Sequence, residues 1–368
     1  MFKQALNDLV AKESHSSQYR HYLDVRERVM GMIDEMQQLE AHSPSEYWKQ
    51  ELAGLDYMLD ASPLIIRKLR EHCYHLTGLR AYDYREHHEH RRHSFANKLA
   101  LLRQQENKGL LVPESPLLGG FGYTIDGDLY NLDTLKFYEC LIALQKANLL
   151  AGLAAEQNDR KIVVEIGGGW GGFAYQLKTL FPEITYVIID LPQAFLFSAV
   201  YLKTLFPAAK IFIHGDQPAT GWIDDPKAYD FIFLPHYLIE NLKLDDIFLV
   251  INMVSFQEMT SAQVDNYVSK AAQLGCPNIY SLNRDRSRHN PQLTAVSDII
   301  SKYYHHSEIK VLDIPYVDLP KKAPLPPFFL NGFGAQPRSY LKKVFNLIKN
   351  QKKAIYKYKH LVGTLKRG

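Results

Sequence analysis

The sequence predicts an α/β protein with a mostly parallel sheet, preceded by a helical region and followed by a basic segment. Short apolar segments alternate with amphipathic ones from Lys161 onward, which indicates strands alternating with helices. A glycine-rich turn directly follows the first of these apolar segments. The first 110 residues have apolar side chains at helical spacing and little glycine or proline. We expect four regions: a helical N-terminal region at 1–110, a loop and linking helix at 111–150, an α/β domain at 151–318 and a basic extension at 319–368.

Length and composition are those of a globular protein. The 368 residues suffice for about two domains. Hydrophobic residues make up 46% and charged residues 23%, which excludes a disordered chain or a coiled-coil rod. No apolar stretch approaches the roughly 18 residues of a membrane span, and the N-terminus lacks a secretory pattern. Because Cys73, Cys140 and Cys276 are few and far apart, we expect no disulfide framework or zinc knuckle, and a cytoplasmic location.

The elements before Lys161 are predicted from spacing and punctuation. Apolar residues recur at helical spacing between Leu23 and Met36, and the Ser-Pro pairs at 43–44 and 62–63 indicate helix starts. Residues 109–133 contain many glycines and prolines, which predicts a long loop and a candidate lid. Asp133 or Thr134 is expected to cap the helix that follows.

Seven apolar segments after this helix are predicted strands: 161–166, 185–190, 210–213, 229–234, 246–252, 278–283 and 309–314. Predicted helices follow the glycine turn to about residue 180, and lie at 193–206, 261–274 and 294–304. Such alternation predicts a sheet covered by helices on both faces. Either 210–213 or 229–234 fills the third sheet position.

The basic extension changes the net charge of the chain from negative to positive. No Asp or Glu follows Asp318, whereas twelve Lys or Arg residues do. The whole chain has a net charge of +3, so removing these twelve cations leaves −9 for residues 1–318. Apolar residues among the lysines of 338–368 predict a basic amphipathic helix. Its expected contacts are an anionic membrane surface, an anionic glycan or the acidic part of the chain; a solvated helix is the simplest alternative. No nucleic-acid-binding module is recognised.

The glycine turn is the strongest functional signal. Gly167, Gly169 and Gly172 fit the GxGxxG pattern, in which glycine lets a ligand approach the start of a helix. Nicotinamide-dependent enzymes and methyltransferases share this pattern. Glu165 just before the turn would repel the pyrophosphate of a dinucleotide and would attract the cationic groups of S-adenosylmethionine. Asp190, at the end of the second strand, suits the ribose hydroxyls of either cofactor.

Asp216 ends the third apolar segment, in the sequence HGD. We expect its carboxylate to contact the amino group of adenine, with a simple turn residue as an equally weighted alternative.

Glu165–Gly172 followed by IIDLP (188–192) resembles two motifs of class I S-adenosylmethionine-dependent methyltransferases. Together with GGFG…NLDTLKFYE (119–139), INMVSFQEM (251–259) and YSLNRDRSRHN (280–290), they are similar to the bacterial sugar O-methyltransferase family over about 113–316. The resemblance implies a Rossmann-like domain and methyl transfer to a sugar hydroxyl in a cell-surface polysaccharide or glycoconjugate. The residues expected to bind S-adenosylmethionine are Glu165, Gly167, Gly168, Gly169, Trp170, Asp190, Leu191, Asp216, His236 and Asn252.

Methyl transfer to a hydroxyl needs a group that removes its proton, and this group should follow a strand. Glu258 is the first candidate base, although a carboxylate in the first turn of a helix is equally common for structural reasons. His289 is a second candidate, with Arg284 beside it keeping the imidazole neutral. Ser255 is expected to orient the acceptor. His236 is either structural or a cofactor contact.

Tyr123 and Tyr130 in the glycine-rich loop offer aromatic faces for a sugar ring or adenine, or simply anchor the loop. The histidines at 87, 88, 90 and 93 indicate a solvated helix face, with a metal site as the lesser alternative, so metal dependence stays open. Two other functions compete with methyl transfer: a nicotinamide-dependent oxidoreductase and a non-catalytic scaffold that binds S-adenosylmethionine. The oligomeric state is open, including a homo-oligomer.

Overall fold

The computed structural model describes residues 2–39, 46–85, 89–106, 109–154, 160–285, 295–312 and 357–367. The N-terminal region is helical, as predicted. Its helices are α1 (Phe2–Ser14), α2 (Ser17–Gln37), α3 (Glu46–Ala53), α4 (Pro63–Arg67), α5 (Leu69–His72), α6 (Tyr74–Thr77) and α7 (Glu89–Arg103).

Local sequence signals begin two of these helices. The Ser16 hydroxyl caps α2 by accepting a hydrogen bond from the backbone N–H of Tyr19. Pro63 opens α4 directly after Ser62, which confirms the Ser-Pro signal predicted there. The other Ser-Pro pair, at 43–44, lies outside the described residues.

The glycine-rich loop contains a hairpin that the sequence analysis did not predict. Strands β1 (Tyr123–Ile125) and β2 (Asp128–Tyr130) pair antiparallel across a two-residue turn. Asp126 and Gly127 in this turn both have positive φ, at 54° and 93°, which is the conformation that Asp-Gly favours in tight hairpins.

The long helix α8 (Leu132–Lys146) is capped by Asn131, so the prediction of Asp133 or Thr134 as its cap was wrong. The Asn131 side chain accepts hydrogen bonds from the backbone N–H groups of Asp133 and Thr134, while the Thr134 hydroxyl accepts one from the N–H of Asn131. This reciprocal capping fixes where the helix begins. The short helix α9 (Leu149–Leu153) follows.

The α/β domain contains an eight-stranded sheet with three layers, as the alternating pattern predicted. Its strands are β3 (Ile162–Ile166), β4 (Thr185–Asp190), β5 (Ile211–Ile213), β6 (Phe231–Pro235), β7 (Ile247–Met253), β8 (Asn278–Arg284), β9 (Tyr304–Ile309) and β10 (Tyr358–Leu365). The helices between them are α10 (Gly172–Leu180), α11 (Phe195–Leu205), α12 (Gly221–Asp224), α13 (Ser261–Gln273) and α14 (Val296–Tyr303).

The strand order is β5-β6-β4-β3-β7-β8-β10-β9. Strands β3 to β8 run parallel, and β10 is antiparallel to both of its neighbours. The third position, next to β4, is therefore filled by β6, and β5 lies at the edge. This resolves the alternative that the sequence left open, and the sheet is of the Rossmann-like α/β type.

The end of the basic extension is a strand, so the predicted helix over 338–368 was wrong for residues 358–365. Strand β10 pairs with β8 on one side and β9 on the other, which places it inside the sheet. Lys359 within β10 and the lysines at 357 and 366 on either side of it obscured the apolar pattern, because β10 contributes only part of its side chains to the core. The domain limit predicted at 318 thus excludes a strand of the domain's own sheet. The strand predicted at 309–314 lies instead at 304–309.

The two faces of the sheet bury separate cores. Val163, Ile188 and Phe233 belong to a core shared with α8, α11 and the N-terminal helix α2. Val164, Ile189 and Leu234 face the other side, where α13 and α14 cover them. Alternate residues of each strand thus point to opposite layers. Among the described helices, none has the length and apolarity needed to cross a membrane.

Candidate functional site

A cavity opens at the edge of the sheet where β3, β4 and β7 end. The glycine turn after β3 and the residues after β4 form one wall. The N-terminal region forms the opposite wall, with Trp48, Leu52, Leu55, Leu76, Thr77 and Leu79. Ligands of open α/β sheets bind at this carboxyl edge, so the cavity is the candidate active site.

The glycine turn needs glycine for two different reasons. Gly167 and Gly169 have φ values of 74° and 56°, in the left-handed region that other residues rarely adopt. A Cβ atom on Gly168 would lie 2.8 Å from Cγ2 of Ile188 and 3.1 Å from Oε2 of Glu165. The backbone of the turn can therefore approach both β4 and a ligand in the cavity.

Glu165 lies beneath this turn and lines the cavity, although only 1% of its surface is exposed. The Tyr186 hydroxyl donates a hydrogen bond of 3.0 Å to its Oε2 atom. Burial raises the pKa of Glu165 to about 8; the bond from Tyr186 opposes this rise. A positive charge placed in the cavity would favour the ionised form of this carboxyl group.

Asp190 lines the cavity at the end of β4, as predicted. Its Oδ2 atom accepts a hydrogen bond of 2.8 Å from the N–H of Gly169, and Oδ1 accepts one of 2.7 Å from the N–H of Leu191. Burial raises the pKa of Asp190 to about 6, and these two hydrogen bonds oppose the rise. The carboxylate is held rigidly between the glycine turn and Leu191, which also lines the cavity.

Asn252 of β7 connects the ends of three strands through hydrogen bonds. It is not among the described residues that line the cavity. Its Nδ2 donates to the carbonyl of Ile166 at 2.8 Å and to the Ser255 hydroxyl at 2.7 Å. Its Oδ1 accepts a 2.8 Å bond from Nδ2 of Asn283. Asn252 therefore positions Ser255, which does line the cavity.

Glu258 lines the cavity at the end of a short 3₁₀ turn, Phe256–Glu258. Burial raises the pKa of Glu258 to about 8; Glu51 of α3 adds to the rise, and Arg284 opposes it. Raised carboxyl pKa values near neutrality are typical of acid–base residues.

Arg284 acts on this carboxyl group through its charge and is not among the described lining residues. Its guanidinium lies 4.4 Å from the centre of the Tyr358 ring, which does line the cavity.

Trp170 and His236 both line the cavity, as expected for cofactor contacts. The indole N–H of Trp170 donates a 3.1 Å hydrogen bond to Oδ2 of Asp133, and the ring of His236 packs against Tyr237.

Three further residues with predicted ligand contacts are, like Asn252 and Arg284, not among the described lining residues. Asp216 accepts hydrogen bonds of 3.0 Å from Nε of Arg28 and 2.9 Å from the N–H of Ile213, so its carboxylate serves a turn and an ion pair with α2. Tyr123 and Tyr130 are buried in the core of the hairpin, 7% and 4% exposed. The anchoring alternative therefore holds for both tyrosines, because their rings pack inward.

His289 lies outside the described residues, as do the histidines at 87 and 88, and the side chain at 90 is likewise not described. Within the described part of the chain, no cluster of three or more His, Cys, Asp or Glu side chains is arranged to hold a metal ion.

A buried ion network joins the N-terminal region to the cavity. Arg70 of α5 is fully buried; its Nε atom bonds Oε1 of Glu114 at 2.9 Å, and its Nη2 atom bonds Oδ2 of Asp133 at 2.8 Å. Burial acts to lower the pKa of Arg70, but Glu114 and Asp133 raise it overall. The guanidinium also stacks 3.6 Å from the ring centre of Trp170. The network thus supports Trp170 and Asp133, two lining residues.

The lining residues that the sequence analysis did not assign to the site include Asp133, Lys136, Trp48 and Tyr358. Asp133 and Lys136 are three residues apart on α8, so helical spacing could have placed them on one face. Trp48 comes from the N-terminal region, and Tyr358 comes from the strand that was predicted as a helix. Only the folded chain brings these two together.

No model of a protein family matches this chain, and no curated protein matches it. The solved structures with which it has some likeness include phosphoethanolamine N-methyltransferase 2 of Haemonchus contortus, with 12% identity and a TM-score of 0.35 over 61% of this chain and 52% of that one. An O-methyltransferase family protein of Burkholderia thailandensis has 12% identity and a TM-score of 0.32 over 64% of this chain and 60% of that one. WbdD has 14% identity and a TM-score of 0.35, over 65% and 42%. Because these TM-scores are low, function has to be inferred from the cavity itself.

Proposed function

We propose that the protein is an S-adenosylmethionine-dependent methyltransferase. The observation that carries this proposal is the acidic lining of the cavity around the glycine turn. Glu165 and Asp190 flank the turn, and Asp133 and Glu258 line the same cavity. Such a lining favours a donor with a sulfonium and an ammonium group and disfavours the pyrophosphate of a dinucleotide.

Glu258 is the proposed base for methyl transfer to a hydroxyl. The acceptor oxygen attacks the methyl carbon in line with the carbon–sulfur bond, which breaks and leaves a neutral thioether. The hydroxyl proton passes to the carboxylate of Glu258. Alignment by the cavity walls and removal of this proton are the two contributions that the protein makes, because the sulfonium already activates the methyl group.

The proposed acceptor is a sugar hydroxyl in a polysaccharide or glycoconjugate precursor. The motifs shared with sugar O-methyltransferases support this class. Trp48 on the wall opposite the glycine turn has a flat aromatic surface of the kind that packs against sugar rings.

Calorimetry with S-adenosylmethionine and with NAD tests the donor. We expect binding of the methyl donor alone, and a ligand at a hundred times its dissociation constant should stabilise the protein by roughly 2.7 kcal/mol. Binding of NAD instead would favour an oxidoreductase.

Incubation with a labelled methyl donor and glycan precursors, followed by mass spectrometry, then tests turnover. Donor binding without any transfer would favour the non-catalytic scaffold.

We also propose that the basic segment brings the enzyme to an anionic membrane surface on the cytoplasmic side. Strand β9 runs parallel to β8, and β10 runs antiparallel to both. The end of β9 and the start of β10 therefore lie at the carboxyl edge of the sheet, where the cavity opens. Removing residues 338–368 would delete β10, so the test replaces the Lys and Arg residues between 321 and 353 with Gln. We expect this variant to lose sedimentation with anionic vesicles; unchanged sedimentation would contradict the proposal.

A further inference from the structure

Resting on the proposed function, we propose that Lys136 binds the carboxylate of the sulfonium donor: its ammonium lies on the face of α8 that lines the cavity beside the glycine turn. Methyl donors of this class carry three charged groups, a sulfonium, an ammonium and a carboxylate. The acidic lining suits the first two and repels the third. A separate cationic group is therefore needed for the carboxylate.

Helical geometry directs Lys136 into the cavity. Leu132, Asp133, Lys136 and Phe137 all line it, and positions three or four apart share one face of a helix. The side chain of Lys136 is 14% exposed, and its Nζ atom lies 4.7 Å from the centre of the Phe137 ring. The stem of the side chain is thus held in place while its ammonium remains accessible from the cavity.

Charge complementarity singles out this residue. Lys136 is the one Lys or Arg among the described lining residues, which include four carboxyl side chains. Its charge acts on three of them, since it lowers the pKa of Asp133 and opposes the rise in pKa of both Glu165 and Glu258. The ammonium therefore lies within electrostatic range of both the glycine turn and the proposed base.

The existing partner of Lys136 does not use up its hydrogen-bonding capacity. Its Nζ atom donates a 3.1 Å hydrogen bond to Oδ1 of Asp133, and an ammonium group has three N–H bonds. Asp133 also accepts hydrogen bonds at Oδ2 from Arg70 and Trp170. Asp133 thus keeps two donors when Lys136 is replaced, so we expect the cavity to survive the substitution.

The test compares three ligands by calorimetry on the full chain: S-adenosylmethionine, S-adenosylhomocysteine and decarboxylated S-adenosylmethionine, which keeps the sulfonium and the amine. We expect Lys136→Met to weaken the first two by roughly ten- to a hundredfold, the usual range for a charge-assisted hydrogen bond. The decarboxylated ligand should bind wild type and Lys136→Met equally. Lys136→Arg, which keeps the charge, should restore part of the affinity for the two carboxylate ligands.

Lys146→Met is the matched control, because Lys146 is exposed in the last turn of the same helix and bonds Gln105 and the carbonyl of Lys310. We expect it to leave all three affinities unchanged.

An equal loss for the decarboxylated ligand in Lys136→Met would overturn the proposal in favour of a purely structural role. Unchanged donor affinity with a raised KM for the acceptor would overturn it in favour of an acceptor contact. Absence of donor binding by the wild type would instead overturn the proposed function, and this inference with it.

Discussion

Glu165 and Glu258 are buried carboxyl groups in one cavity, and burial raises the pKa of each to about 8. Their surroundings differ in a way that suits two roles. Glu165 accepts a hydrogen bond from Tyr186 beneath the glycine turn, whereas Glu258 lies in a short 3₁₀ turn, where the charge of Glu51 raises its pKa and that of Arg284 lowers it. In the proposed mechanism, Glu165 meets the donor and Glu258 meets the acceptor.

The affinity for S-adenosylmethionine should rise with pH through about 8. Below this pH Glu165 is protonated in the free protein, so binding a cation has to release the proton, and each proton released changes affinity by at most about tenfold per pH unit. Calorimetry from about pH 6.5 to 9 lies above the pKa of about 6 of Asp190, and carrying it out in Glu258→Gln removes the second cavity carboxyl group whose pKa is about 8. In Glu165→Gln we expect weaker binding with a much smaller dependence on pH. The same slope in this variant would rule out Glu165 as the linked group.

Glu258→Gln should retain donor binding and lose turnover by roughly a hundredfold or more, because the amide cannot accept the proton. In the wild type, kcat/KM should increase with pH and level off above about 8, since the base must be ionised. Rates of methyl transfer across this pH range check both expectations. Glu240→Gln, at an exposed position, is the control and should behave as wild type. Near-normal turnover in Glu258→Gln would remove this residue from the mechanism.

Strand β10 makes the end of the basic extension part of the central sheet. It lies between β8 and β9 and carries Tyr358 to the cavity wall. His360 fixes it to the core, because its Nδ1 atom lies 2.7 Å from the Tyr280 hydroxyl and its Nε2 atom lies 3.1 Å from Oε1 of Glu139. The strand thus joins the cavity to α8 through buried polar contacts.

Replacing His360 with Leu should lower the free energy of unfolding by about 1–3 kcal/mol, because buried polar atoms of Tyr280 and Glu139 lose their partner. Urea unfolding followed by circular dichroism measures this change. His305→Ala is the matched control on the neighbouring strand, where the side chain is exposed, and it should have little effect. Equal stabilities for the two variants would show that the contacts of His360 do not hold β10 in place.

The whole molecule folds the N-terminal region onto the α/β domain. Helix α2 packs against α11 within one hydrophobic core. Asp24 pairs with Lys203, and Arg28 pairs with Asp216, across this contact. The fully buried Arg70 network adds a polar connection that ends at the glycine turn. Part of the cavity lining therefore comes from N-terminal residues more than eighty positions before the glycine motif.

Arg70→Met should destabilise the chain by about 3–5 kcal/mol, since it leaves Glu114 and Asp133 buried without their cationic partner. In the wild type we expect the N-terminal region and the α/β domain to unfold in one thermal transition. Arg70→Met should lower the midpoint of this transition. It should also weaken donor binding, because Arg70 supports Trp170. Calorimetric scans and tryptophan fluorescence with the donor check these effects. Arg67→Met, with a side chain 51% exposed, is the control. Two separate transitions in the wild type would contradict a shared core.

The sequence by itself determined the α/β sheet, the glycine turn, the placement of Glu165 and Asp190 at the ends of strands and that of Glu258 after a strand, because these features depend on periodicity and on local backbone conformation. Only the tertiary structure decided the position of β10 and the lining contributed by Trp48 and Tyr358. Lysines mask the apolar pattern of β10, and its pairing partners are distant along the chain. The turn alternative for Asp216 holds, but its ion pair was missed for a similar reason: its partner Arg28 belongs to a helix 188 residues away. Pairings between distant segments are governed by packing and charge in the folded chain, which local residue patterns do not record.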